Sequence, residues 1–172
     1  TRNIFAIEGQ YEETGDNGSK VAKFVNYYLD DISLKGPAVP VEELDEFVSN
    51  GDFEQDSLAG WTRSGWIGAL GKPTEMTFAR VEDPKNASNH VLKLTDREGQ
   101  EATANYDVSG KLQAGKKYTL SGKIYYDQGA DTTATFNLTF QNGADYNFNK
   151  TFWGAISGKK GEWTDFTFEY TP

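Results

Sequence analysis

The sequence predicts an all-β fold, a two-sheet antiparallel β-sandwich with jelly-roll-like connections. Period-two alternation is the first observation. In "TATFNLTF", Ala134, Phe136, Leu138 and Phe140 fall on one face and Thr135, Asn137, Thr139 and Gln141 on the other. The second is punctuation: "SGKLQAGKK", "DQGAD", "QNGAD" and "SGKKGE" read as turns between such runs. The third is composition, with 14% aromatic residues and 18 glycines in 172 residues, as in a twisted β protein with many turns. About ten strands at this spacing bury two inner faces against each other.

The elements follow in chain order. "NIFAIEGQ" places Phe5 and Ile7 on one face and Ala6 and Glu8 on the other. A polar loop, "YEETGDNGSK", leads to the strand "VNYYLDDISLKG". Strict alternation there puts Leu29 with Asp31, and Asp30 with Tyr28 and Ile32. "VPVEELDEFVS" has helical spacing at Val41, Leu44 and Phe47 or Val48 after a proline, but reads best as an acidic linker. "EMTFARVED", "HVLKLTD" and "ATANYDV" are short strands. "KKYTLSGKIYYD" aligns Tyr118, Leu120, Ile124 and Tyr126, and "EWTDFTFEYTP" aligns Phe166, Phe168 and Tyr170.

Several function classes are excluded. A net charge of −9 offers nothing to neutralise phosphates, so nucleic acid and anionic membrane surfaces are not expected partners. No apolar run reaches the about 18 residues needed to span a bilayer. With no signal peptide read in the sequence, a secreted protein is expected to be represented here by its mature part or a fragment. With no cysteine there is no thiol catalysis, disulfide or thiolate metal site. The single histidine, His90, is expected in an ordinary polar role at the start of a strand.

From Asn50 the chain reads "NGDFEQDSLAGWTRSG", then "HVLKLTD", "YDVSGKLQAGKKYTLSGKIYYD" and "GEWTDFTFEYTP". This order resembles the β-sandwich carbohydrate-binding modules of the superfamily containing families 4, 9, 16 and 22, with the xylan-binding family 22 nearest. Those modules continue past the Thr-Pro with a carboxylate-bearing strand, a loop and a last strand like "YYLDDISL". Here those pieces come first, and joining Pro172 to Thr1 restores the family order. The resemblance therefore implies one circularly permuted module over residues 1–172. Residues 1–35 supply the family's C-terminal strands, 36–47 a linker, and 48–172 its N-terminal and central strands. A fragment of a tandem array gives the same order. Either way the first segment is expected to close the sandwich within one chain, with Asn3–Glu8 paired to Trp163–Tyr170.

Sugar rings stack on aromatic faces and present hydroxyls to amides, carboxylates and guanidinium groups at the rim. Glu8 points outward beside the small Ala6, where an ordinary solvated carboxylate is the alternative, and its resemblance to the cleft glutamate of family 22 makes it the first ligand-binding candidate. Asn137 and Gln141 lie on an outward row, and Trp66, Tyr146 and Trp153 stand in Gly-rich or polar loops. Trp61 and Trp163 read instead as core. Resemblance places Arg63, or Ser64, at the family's Arg position. It sets Gln100, or Glu101, where family 22 has a cleft Trp, a departure that opens other β-glucans. It also implies a structural Ca²⁺ on Asp30 and Glu54, with Asp52 in reserve.

The function so implied is non-catalytic binding of a β-linked plant cell-wall polysaccharide, xylan or mixed-linkage β-glucan. The module would be a monomer in a secreted, extracellular bacterial protein, and would hold an attached glycoside hydrolase near its substrate. A hydrolase or lyase would need two carboxyls across a cleft, and only Glu8 stands out. A structural spacer or adhesion domain would lack an exposed aromatic in a groove.

Overall fold

A computed structural model describes residues 3–10, 12–14, 20–22, 25–37, 44–63, 76–97, 102–142 and 148–172. Side chains are described for 4–9, 25–37, 45–62, 76–97, 102–140 and 152–172. The strands are β1 (Asn3–Gln10), β2 (Glu12–Thr14), β3 (Lys20–Ala22), β4 (Tyr27–Pro37), β5 (Leu44–Glu46), β6 (Trp61–Arg63) and β7 (Thr77–Asp83). They continue with β8 (Asn86–Thr95), β9 (Ala104–Asp107), β10 (Tyr118–Tyr125), β11 (Thr133–Asn142), β12 (Phe148–Lys159) and β13 (Thr164–Tyr170).

Two antiparallel sheets form the sandwich. One has the order β12-β11-β1-β9-β6, the other β13-β10-β4-β8-β7 with β5 added to β4. A small β2–β3 ribbon stands apart. The alternating strands turn their apolar faces inward. Phe5, Ile7, Phe136, Leu138 and Phe140 from the first sheet meet Tyr27, Leu29, Leu34, Leu92, Leu94, Leu120 and Ile124 from the second. Burying each such side chain stabilises the fold by about 1.5–3 kcal/mol. Phe140 and Tyr170 stack across the sandwich with ring centroids 3.9 Å apart.

The first 37 residues complete both sheets. β1 is the middle strand of one, between β11 and β9, and β4 is the middle strand of the other, between β10 and β8. Without them each sheet would split and expose ladder edges. One expected pairing is corrected, however. Asn3–Gln10 pairs with Thr135–Asn142, and Ile4–Ala6 with Asn105–Asp107. Thr164–Tyr170 pairs with Tyr118–Ile124 in the opposite sheet. β13 and β1 are neighbours in the restored order but lie in opposite layers, as consecutive strands of a sandwich commonly do.

Two local corrections follow. The expected linker is strand at both ends, since Lys35, Gly36 and Pro37 of β4 pair with Glu46, Asp45 and Leu44. The Glu46 carboxylate fixes this corner by accepting from the backbone N–H groups of Leu34 and Val48, both at 2.9 Å. The alternation of "YYLDDISL" also breaks at its centre. Asp31 takes φ = 49°, and the β4–β10 register shifts between Ser121 and Lys123. This bulge returns Ile32 to the core alongside Leu29, so Asp30 and Ile32 do not share a face.

The stretch "NGDFE" is a clasp onto β4. Asn50, at φ = 51°, holds the loop through Nδ2–H bonds to the carbonyls of Gln55 and Ser57 while its Oδ1 accepts from Gln55 N–H. Ile32 N–H donates to the Gly51 carbonyl at 2.8 Å, and a Cβ on Gly51 would lie 1.7 Å from the Ile32 oxygen. Only glycine fits there. Phe53 is fully buried beside Trp61, their ring centroids 5.6 Å apart, so Trp61 is core as its motif position suggests.

Candidate functional site

Because Phe5 and Ile7 enter the core, β1 turns Ala6 and Glu8 to the outer face of the five-stranded sheet. The register then sets their neighbours. Glu8 lies opposite Asn137 of β11, and Ala6 lies between Thr139 of β11 and Asn105 of β9, with Thr62 of β6 beyond. This outer row is polar but largely withdrawn from water: Glu8 is 9% exposed, Asn105 6%, Thr139 2% and Asn137 0%. The outward direction read from alternation is right for Asn137; its burial was not legible.

The β12 strand supplies the aromatic. Phe136 pairs with Ile156 and Leu138 with Phe152, so Trp153, Gly154 and Ala155 bulge opposite Asn137. Gly154 takes φ = 59°, the left-handed region that glycine enters at little cost, and its N–H donates to Asn137 Oδ1 at 2.8 Å. That turn leaves Trp153 67% exposed, the one exposed large hydrophobic among the described side chains. An exposed aromatic thus sits on the bulge opposite Asn137, the register partner of Glu8, and such residue types can stack on a ligand ring and hydrogen-bond at its rim.

The backbone flanking Glu8 is held by buried side chains. The Ile7 carbonyl accepts from the Tyr27 hydroxyl at 2.6 Å and from Thr103 Oγ1 at 2.7 Å. Arg97 donates from Nη2 to the Gly9 carbonyl at 3.2 Å, from Nη1 to Val25 at 3.1 Å and from Nε to Ala102 at 2.7 Å. Its guanidinium also lies 4.9 Å from the Tyr27 ring centre. Burial pushes the Tyr27 hydroxyl pKa up, with Arg97 and the Thr103 bond opposing and Glu8 adding a smaller rise. Sequence reading missed Arg97, because an arginine between Asp96 and Glu98 looks like a solvated charge.

The remaining candidates divide by position. Trp66, Gln100 and Tyr146 lie outside the described residues, as do Ser64 and Glu101. Arg63 belongs to β6 and Gln141 to β11, where Gln141 faces Ile4 across the ladder; their side chains lie outside the described set.

The residues considered for Ca²⁺ are arranged differently from expectation. Asp30, 5% exposed, accepts from Asn89 Nδ2 at 2.9 Å, and the same amide reaches the buried Asp83 at 3.2 Å. Burial raises the Asp30 carboxyl pKa to about 6, above the ordinary carboxylate range. Glu54 turns to His90, the neighbour of Asn89, accepting from its backbone N–H at 2.8 Å and facing its ring, which lowers the Glu54 pKa. Asp52 is exposed. Arg80 takes the backbone carbonyls of Phe53 and Glu54. Among the described residues no three His, Asp or Glu side chains converge on one point. The two buried carboxylates, Asp30 and Asp83, offer the hard oxygen donors that Ca²⁺ takes, while Asn89 turns its NH₂ group to both.

Comparisons with known proteins bear on what this face is for. The chain is similar to a segment of endo-1,4-beta-xylanase A of Thermoanaerobacterium saccharolyticum, 27% identical over 141 residues. That match covers 73% of this chain but 11% of the xylanase, so the chain spans about a tenth of that relative. No solved structure matches the chain significantly. The model of the carbohydrate binding domain family matches residues 45–172, well over half of the sequence, and the chain belongs to that family.

Proposed function

We propose that the outer face of the five-stranded sheet binds a β-linked plant cell-wall polysaccharide, xylan or mixed-linkage β-glucan, without cleaving it. The observation that carries this reading is Trp153, exposed on the bulge whose Gly154 N–H fixes Asn137, itself the cross-strand neighbour of Glu8. Similarity to a xylanase segment supports xylan. The module would serve an attached glycoside hydrolase in an extracellular protein by keeping substrate near its active site.

A binding role is favoured over catalysis by spacing. The second described carboxylate on this face is Asp107, whose register partner is Ile4, four residues from Glu8 on β1. Strand geometry separates the two carboxylates by about 14 Å, beyond the roughly 5–10 Å of paired hydrolytic carboxylates. The strand order belongs to the same reading. Residues 1–37 supply the middle strand of each sheet while the family match lies at 45–172, as expected of a permuted module closed within one chain. A Ca²⁺ ion anchored by Asp30, with Asp83 held near it through Asn89, would relieve the buried negative charge.

Affinity electrophoresis through xylan, mixed-linkage β-glucan, mannan and a soluble cellulose derivative tests the function. Retardation in xylan or β-glucan, with added oligosaccharides recovered intact, is the expected result. Equal mobility in all four gels removes the carbohydrate reading, and shortened oligosaccharides replace it with an enzyme.

A further inference from the structure

Two polar atoms on the same outer face have no hydrogen-bond partner although both are buried: Asn105 Oδ1, an acceptor, and Asn137 Nδ2, a donor. Buried amide atoms are almost always paired, and an exception calls for a physical reason. For Asn137 the orientation is fixed. Gly154 N–H requires an oxygen at Oδ1, so the NH₂ group faces away from the β12 bulge. For Asn105 the face is fixed, because Ala104 and Tyr106 on either side of it belong to the core. Between these two residues on β1 lies Ala6, whose single methyl leaves the row low at its centre.

We propose that Asn105 and Asn137 are a complementary pair of sugar-hydroxyl readers, one accepting and one donating, whose missing partners are supplied by the glycan. The inference rests on the carbohydrate reading of this face and adds residues that specify the ligand. The register separates the two amides by two strands and two residues, roughly 12 Å by strand geometry. A single pyranose ring does not bridge that span, so the ligand is an oligosaccharide lying across β9, β1 and β11. The ligand-free fold forgoes both bonds. Replacing an unpaired polar atom with an apolar group of like shape is therefore neutral or stabilising for folding, yet harmful for binding. A residue with a purely structural role would not show that opposition of sign.

The test measures melting temperature and xylohexaose and cellohexaose affinity, by calorimetry, for the wild type, Asn105→Leu and Asn105→Ser. The expected result for Asn105→Leu is a melting temperature equal to or above wild type, with affinity reduced about fivefold to tenfold, one hydrogen bond's worth. Asn105→Ser, which keeps a hydroxyl, should bind between the two. Wild-type affinity in Asn105→Leu overturns the inference while leaving the carbohydrate reading in place. A Leu variant that melts lower or does not fold overturns it too, because Asn105 then has a structural partner. A wild type that binds neither hexasaccharide removes the carbohydrate reading and this inference together.

Discussion

The outer faces of the two sheets solve the same problem in opposite ways. On the six-stranded sheet, Tyr28, Val91 and Tyr125 form a second small cluster with Val81 and Trp163. Lys93 lies 5.2 Å from the Tyr28 ring centre and Lys85 5.7 Å from that of Tyr125. Trp163, read from the sequence as core, packs here instead and donates its indole N–H to Asp83 at 3.1 Å. Aromatic faces meet lysines and the indole N–H meets a carboxylate, so this surface is closed on itself. On the five-stranded sheet, Trp153 stands exposed and two buried amide atoms lack partners. Exposed apolar area and unmet hydrogen bonds are what a folding optimum removes. Both amide atoms lie on the face proposed to bind glycan, while the third unmet atom among the described side chains, Trp61 Nε1, belongs to a core residue.

The largest expected effect lies beneath the open face. Arg97→Met strands the carbonyls of Gly9, Val25 and Ala102 and should cost on the order of 3–5 kcal/mol in urea unfolding. A loss under about 1 kcal/mol would mean that Arg97 does not hold the backbone beside Glu8. Next comes Trp153→Ala. Losing a stacking ring, worth about 1–3 kcal/mol in well-packed cases, should weaken xylohexaose binding tenfold or more. Because Trp153 is exposed, the melting temperature should stay within a degree or two of wild type. Equal affinity in the variant would place the ligand elsewhere.

Asp30 sharpens the contrast from the other side. Its folded carboxyl, at about 6, lies above the ordinary carboxylate value of 3.8, so the folded state binds the proton more tightly than the unfolded state. The contribution is fully present below about pH 4 and is lost as pH rises through 6. Wild type should lose stability relative to Asp30→Asn across that interval, and parallel pH profiles would contradict the assignment. A Ca²⁺ ion competes with that proton. Added calcium should raise the wild-type melting temperature at pH 7.5 more than at pH 5, and a curve indifferent to calcium and chelator at both pH values would dismiss the ion. The smallest effect belongs to the closed face. Lys93→Ala should cost at most about 1 kcal/mol, the value of an exposed cation–π contact, and leave glycan affinity untouched.

Alternation made most of the fold legible, because a side chain's face in a strand follows from counting by two. It failed where counting fails. The Asp31 bulge shifted Ile32 into the core, and the Gly154 bulge set Trp153 exposed on the turn opposite Asn137; neither extra residue announces itself in a hydrophobic pattern. The strands Asn3–Gln10 and Thr164–Tyr170 were recognised, yet their partners were not, since pairing depends on which layer each connection enters. At the site, Asn137 and Trp153 came from face and loop context and Glu8 from the family resemblance, and the structure sets Glu8 opposite Asn137, with Trp153 on the bulge across from Asn137. Arg97 and Asn105 were invisible for a common reason. Their meaning lies in unmet or long-range hydrogen bonds, such as Arg97 to Gly9 across 88 positions, which no local window contains.

The most direct test of the central claim is an NMR titration of the isotope-labelled protein with xylohexaose, following backbone amide and indole N–H shifts on both faces at once. The account predicts saturable shifts at Glu8, Asn105, Asn137 and the Trp153 indole, with Tyr28, Lys93, Tyr125 and the Trp163 indole unmoved. Shifts confined to that second group would contradict it, placing the ligand on the face that the structure has closed.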